Sequence, residues 1–151
     1  VAKTLGFDAC INYRTENVDQ RLSELCPEGL NVYFDNVGGE ILDACLNHMA
    51  LNARIVICGF ISTDHAAVPH PGPKNYTNLL RRRARMEGFF VFDYAPRWGE
   101  AEEKIAEWYR AGRIQSAEDI DDGLEKMPDT LSSLFTGANR GIKLCRVGAD
   151  P

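Results

Sequence analysis

Ala53-Arg54-Ile55-Val56-Ile57-Cys58-Gly59 is the clearest strand in the sequence, and its reading decides the fold. Residues 55–58 are continuously apolar and three of them are β-branched. That composition suits a parallel strand covered on both faces rather than one with a solvated side. Gly59 ends the run. Working outward, residues 41, 42, 45, 46 and 49 form an apolar stripe at helical spacing just before it. Upstream of that helix, Asn31-Val32-Tyr33-Phe34-Asp35 reads as another strand, joined to it by a turn at 37–40. Downstream, a Pro-rich loop (Pro69, Pro71, Gly72, Pro73) is long enough to be functional. A helix over about 75–83 then leads into a further strand at Met86-Glu87-Gly88-Phe89-Phe90-Val91-Phe92.

The outer parts follow the same alternation. Ala9-Cys10-Ile11-Asn12 is a candidate short strand. Asn17 is placed to cap a helix carrying Val18, Leu22 and Leu25 on one face, closed by Pro27 and Gly29. A helix over 100–111 carries Ala101, Ile105, Trp108 and Tyr109, with Gly112 at its C-cap. Pro128 opens a last helix that Gly137 closes, and 142–147 alternates like a final strand. Strands alternating with helices predict an α/β parallel sheet, which takes ligands at the carboxyl ends of its strands. Here those ends lie after Asp35, after Cys58 and after Phe92.

Composition narrows the function. The 151 residues are 44% apolar and 26% charged, ordinary for a globular domain, and their net charge of −5 argues against nucleic acid. The basic group Arg81, Arg82, Arg83 and Arg85 reads as a solvated helix end, with an anionic-ligand or subunit contact as the other option. No apolar run is long enough to span a bilayer. The start at Val1 reads like a helix entered in its middle, so upstream sequence is expected. Five cysteines, odd in number and without C-x-x-C pairing, suggest free thiols in a reducing compartment. Cys10, Cys45 and Cys58 have apolar neighbours and are expected to be buried. His48, His65 and His70 show no metal-binding spacing, so no metal site is expected. Asp119, Asp121 and Asp122 read as a solvated loop rather than an acid/base pair.

Two segments carry candidate chemistry. Asn36-Val37-Gly38-Gly39 follows a strand and opens a helix, so it is either a plain βα turn or a place where backbone meets an anionic ligand. Cys58-Gly59-Phe60-Ile61-Ser62-Thr63 also follows a strand, and reads as a simple strand end or as a cofactor-lining loop. G-x-G-x-x-G and G-x-S-x-G are absent from the sequence.

Taken together, six ordered stretches resemble the zinc-free medium-chain dehydrogenase/reductase superfamily. The matching branch is that of the prostaglandin reductases, leukotriene B4 12-hydroxydehydrogenases and 2-alkenal (curcumin-type) reductases. The stretches are Leu5-Gly6-Phe7-Asp8-Ala9-Cys10-Ile11-Asn12-Tyr13-Arg14, Tyr33-Phe34-Asp35-Asn36-Val37-Gly38-Gly39-Glu40 and Arg54-Ile55-Val56-Ile57-Cys58-Gly59. They continue with Arg85-Met86-Glu87-Gly88-Phe89, Ala111-Gly112-Arg113-Ile114-Gln115 and Gly137-Ala138-Asn139-Arg140-Gly141-Ile142-Lys143. The resemblance implies that residues 1–140 are the C-terminal part of a Rossmann-type NADP-binding domain. Residues 141–151 would return to a GroES-like catalytic domain lying, with the glycine-rich loop, upstream of Val1.

Position by position, the resemblance puts Tyr13 by the adenosine 2′-phosphate, with Arg14 adding charge. It puts Asn36 on the cofactor and Cys58, Gly59, Phe60, Ile61, Ser62 and Thr63 along the nicotinamide ribose. Phe89, Phe90 and Val91 fall beside the nicotinamide, and Asn139 is the late cofactor-binding asparagine. Where family members commonly carry a substrate-side tyrosine, this sequence has Asp64 followed by His65, so no catalytic residue is assigned. The implied activity is NADPH-dependent reduction of the C=C bond of enones and enals, by a cytoplasmic homodimer joined through residues 89–92. The alternatives are a quinone reductase of the same superfamily, or a non-catalytic Rossmann or dimerisation module.

Overall fold

A computed structural model describes residues 5–64, 71–137 and 139–149. The chain divides into two compact units, 1–98 and 99–151. In the first unit, helix α1 (Val18–Leu25) starts where Asn17 caps it, its side-chain oxygen accepting from the Gln20 amide at 2.9 Å. Strand β1 (Leu30–Asp35), helix α2 (Gly39–Asn47) and strand β2 (Met49–Ile57) follow. A short helical turn, α3 (Ile61–Asp64), helix α4 (Asn78–Arg82) and strand β3 (Arg85–Gly88) complete the alternation. The sheet is parallel throughout, in the order β1-β2-β3.

The core of this unit lies under β2. Leu46, Met49, Ala53 and Ile55 are all 2% exposed or less, with Tyr33, Leu42, Leu79 and Met86 packed against them. Each large side chain so buried contributes about 2 kcal/mol of transfer free energy. Polar ties hold the helices around this core. Asp19 of α1 accepts from Asn47 and pairs with His48, and the Asn78 side chain donates to the Leu46 carbonyl at 3.2 Å. The basic residues of α4 stand in its last turn and are exposed, as a solvated helix end requires.

The third strand is shorter than its sequence suggests. Gly88 pairs with Ile57, the last residue of β2, and the Phe89 amide then donates to the Ile57 carbonyl at 2.8 Å. Beyond that point β2 offers no further backbone, and Val91–Arg97 winds into a 3-10 helix instead. The expected strand through Phe92 is therefore corrected to one ending at Gly88. Residues 9–12 form no strand either, because no neighbouring strand among the described residues bonds to them.

In the second unit, helix α5 (Trp98–Arg110) ends at Gly112 (φ 65°), and helix α6 (Met127–Thr136) ends at left-handed Gly137. Strands β4 (Glu118–Asp122) and β5 (Ile142–Arg146) pair in parallel across α6. Asp119, Asp121 and Asp122 therefore do not form a solvated loop. Lys143 of β5 lies 2.8 Å from Asp119 and 3.0 Å from Asp121, and Arg146 lies 2.9 Å from Asp122. The bond from Lys143, then one from the Arg140 amide, holds Asp119 below the usual carboxylate range. Thr130 first and Lys143 second do the same for Asp121, while the two carboxylates raise Lys143.

All five cysteines are free thiols. Of the three expected to be buried, only Cys45 is; Cys10 and Cys58 are exposed, because each stands in a loop rather than within a covered element.

Candidate functional site

The carboxyl ends of β1 and β2 meet at Asp35. This residue is 1% exposed, and its Oδ1 accepts from the Tyr33 hydroxyl at 2.8 Å and from the Val37 and Gly38 amides at 2.9 Å. Its main-chain carbonyl accepts from the Cys58 amide at 2.8 Å and from that of Gly59 at 3.0 Å. The next link is the Val37 carbonyl, which takes the amide of Ser62 at 3.0 Å and its hydroxyl at 2.5 Å. Residues 36–38 and 58–62 thus form a single bonded assembly, a union that neither loop shows in sequence.

Two glycines make the close approach possible. Gly38 stands at φ 73°, a conformation that costs a residue with a side chain but not glycine. A Cβ on Gly59 would lie only 3.0 Å from the Asn36 carbonyl oxygen. Helix α2 begins at this point without a side-chain cap. Its first residue, Gly39, lines the crevice, where a helix N-terminus carries partial positive charge.

A cleft of about 220 Å³ opens here, lined by Gly38, Gly39, Leu42, Phe60, Pro71, Gly72 and Pro73. The Pro-rich loop thus reaches the site through its described residues. Asn36, Cys58, Gly59, Phe60, Ile61 and Ser62 are brought to this one edge. Phe89 joins them through its bond to Ile57, and its ring packs on Phe34 and Tyr94 at centroid distances of 5.8 and 5.2 Å. Phe90 and Phe92 pack against each other at 5.2 Å, and the Val91 carbonyl accepts from the Trp98 indole at 3.3 Å.

Tyr13 lies in a neighbouring cleft of about 330 Å³ with Glu16, Asn17, Val18, Asp19, Glu40, Ile41 and Ala44. The two clefts meet successive residues of α2. Three carboxylates line the second, of which Glu16 is paired with Arg21 at 2.9 Å and Asp19 with His48. Asn139 belongs to the second unit, where its side-chain amide donates to the Gly141 carbonyl at 2.8 Å. The side chains of Thr63 and Asp64, and His65 altogether, lie outside the described residues.

The residue that sequence reading missed is Asp35. The signal was present: an aspartate at a strand end accepts from amides two and three residues on, as an Asx turn does. Below it, burial first and the bond to Asp35 second raise the Tyr33 phenol above its ordinary range. Burial also pushes the Cys45 thiol, which the same phenol meets, up to about 12.

Parallel strands with a crevice beyond their carboxyl ends, bounded by glycine turns and an uncapped helix start, define the cofactor-domain class of α/β proteins. Comparison with known proteins agrees. Residues 1–107 match the family model described as zinc-binding dehydrogenase. The chain is 35% identical over 153 residues to the NADPH-dependent curcumin reductase of Escherichia coli, covering 98% of this chain and 44% of that protein. It is 38% identical over 146 residues to the NADP(+)-dependent 2-alkenal reductase of Nicotiana tabacum, covering 96% and 42%. It superposes on CurA of Vibrio vulnificus in complex with NADPH with a TM-score of 0.87 and 36% identity, over 99% of this chain and 46% of that one.

The chain belongs to the zinc-binding dehydrogenase family, in the medium-chain reductase branch that includes the curcumin and 2-alkenal reductases. It spans less than half the length of these relatives. Among the described residues, no group of His, Cys, Asp or Glu is placed to hold a metal ion, and no helix is long and apolar enough to cross a membrane.

Proposed function

We propose that this chain is the C-terminal part of an NADPH-dependent reductase of α,β-unsaturated ketones and aldehydes. The observation that carries the reading is the bonded assembly of 36–38 with 58–62 around the Gly38–Gly39 cleft. It brings two backbone loops and the hydroxyl-bearing Ser62 into close approach where a dinucleotide cofactor binds in such sheets. Asn36 would meet the cofactor, 58–63 the nicotinamide ribose, Phe89, Phe90 and Val91 the ring, Tyr13 the adenosine 2′-phosphate, and Asn139 would make a further cofactor contact. When bound, the nicotinamide supplies the hydride; the protein binds, orients and excludes water.

On this reading residues 1–140 belong to the cofactor domain and 141–151 return to the catalytic domain. The homodimer contact is made through residues 89–92, of which Phe90, Val91 and Phe92 are exposed. The protein works in the cytoplasm on small molecules, without zinc, nucleic acid or membrane. The test is NADPH oxidation by the longest natural product of the gene, with a 2-alkenal and a quinone offered separately. Turnover of the alkenal is expected. Turnover of the quinone alone would move the protein to the quinone reductases. Turnover of neither, without NADPH binding, would leave a non-catalytic module.

A further inference from the structure

Asp35 is the one charged residue that is buried as a whole among the described residues, and it forms no ion pair there. Taking a carboxylate out of water is costly unless donors replace the water it loses. All three of its donors fall on Oδ1, while Oδ2 is buried without a partner. Two of those donors are the amides that immediately follow Asn36 in the chain. On the other flank, the Asp35 carbonyl fixes Cys58 and Gly59, and Gly59 stands so close to the Asn36 carbonyl that a Cβ would lie 3.0 Å from its oxygen. Asn36, which is exposed at the crevice, is thus gripped on both sides by bonds that originate on one residue.

A neutral acceptor would make the same three bonds. The charged one makes them shorter and roughly twice as strong, which accounts for a carboxylate at a site that supplies no cation. We infer that Asp35 is a positioning residue for the cofactor: its Oδ1, through the Val37 and Gly38 amides, sets how Asn36 and the start of α2 face the crevice. This rests on the proposed function, and it predicts an effect on cofactor affinity rather than on turnover. Tyr33 provides the control. Removing its hydroxyl takes one bond from Oδ1 but leaves both loop amides held.

The test uses the longest natural product of the gene, with KM for NADPH and kcat measured separately. Asp35→Asn keeps an acceptor but loses the charge, and is expected to raise KM for NADPH about fivefold with kcat within twofold. Asp35→Ala is expected to raise it further, and where it does not fold the Asn variant carries the test. Tyr33→Phe is expected to lower the melting temperature yet leave KM within twofold. If Asp35→Asn moves KM no more than Tyr33→Phe does, or lowers kcat with KM unchanged, Asp35 is a core residue and the inference fails. A wild-type protein that neither binds nor oxidises NADPH removes the proposed function and this inference together. An active wild type with unresponsive Asp35 variants removes the inference alone.

Discussion

The two parallel sheets among the described residues have opposite polarity. In the first unit, β2 turns Ala53 and Ile55 into an apolar core and both are 2% exposed. In the second, β4 and β5 turn Asp119, Asp121 and Lys143 toward the less exposed side. They leave Ile120, Leu144 and Ile142 at 36%, 41% and 59% exposed. Burial of apolar surface holds the first pairing and a lysine between two carboxylates holds the second. The period-two pattern of a strand separates its two faces, but it does not say which face is turned inward.

The largest expected effect lies in the first pairing. Leu46 is fully buried, so Leu46→Ala should cost about 2–5 kcal/mol by urea unfolding. A loss under about 1 kcal/mol would break the contrast by showing that this core is not what stabilises the sheet. A smaller effect, confined to the second pairing, should follow from Lys143→Met, which leaves Asp119 and Asp121 side by side without their cation.

The sign of its pH dependence is fixed. Both aspartates titrate below their ordinary range when folded, so their contribution is full above that range and is lost as pH falls through the depressed values. Nuclear magnetic resonance signals of β4 and β5 should therefore collapse at a higher pH in Lys143→Met than in the wild type. An unchanged acid midpoint would mean the ion pairs do not hold this pairing. The smallest effect is local: Asn17→Ala removes the cap of α1 and should cost about 1 kcal/mol in thermal unfolding. A loss as large as that of Leu46→Ala would show that helix starts, not the core, dominate the first unit.

What was legible in the sequence follows the same divide. The centre of β2 was plain because continuous apolar residues describe a strand covered on both faces, but Met49, which the sequence pattern assigns to the helix, opens the strand, and its end falls at Ile57 rather than Gly59. The cap at Asn17 and the stops at Gly112 and Gly137 were plain because each is set by chemistry within a few residues. β4 was not, since Glu118-Asp119-Ile120-Asp121-Asp122 becomes a strand only when Lys143, far along the chain, neutralises it. The run 89–92 misled for the converse reason. Its residues favour a strand, but β2 runs out of backbone at Ile57. At the site, the glycine turns could be read as ligand loops, whereas their union through Asp35 depends on a register that only the folded sheet supplies.

Parallel pairing also sets an order in time. Strands that run the same way cannot meet until the chain between them has closed on itself, and that closure costs more entropy the longer the segment. The segment joining β1 to β2 is 36–48, that joining β4 to β5 is 123–141, and that joining β2 to β3 is 58–84. The shortest of these brings Asp35 against Cys58 and Gly59. The part of the molecule that shapes the crevice is thus the part whose closure is least costly, and β3 adds to an edge that already exists.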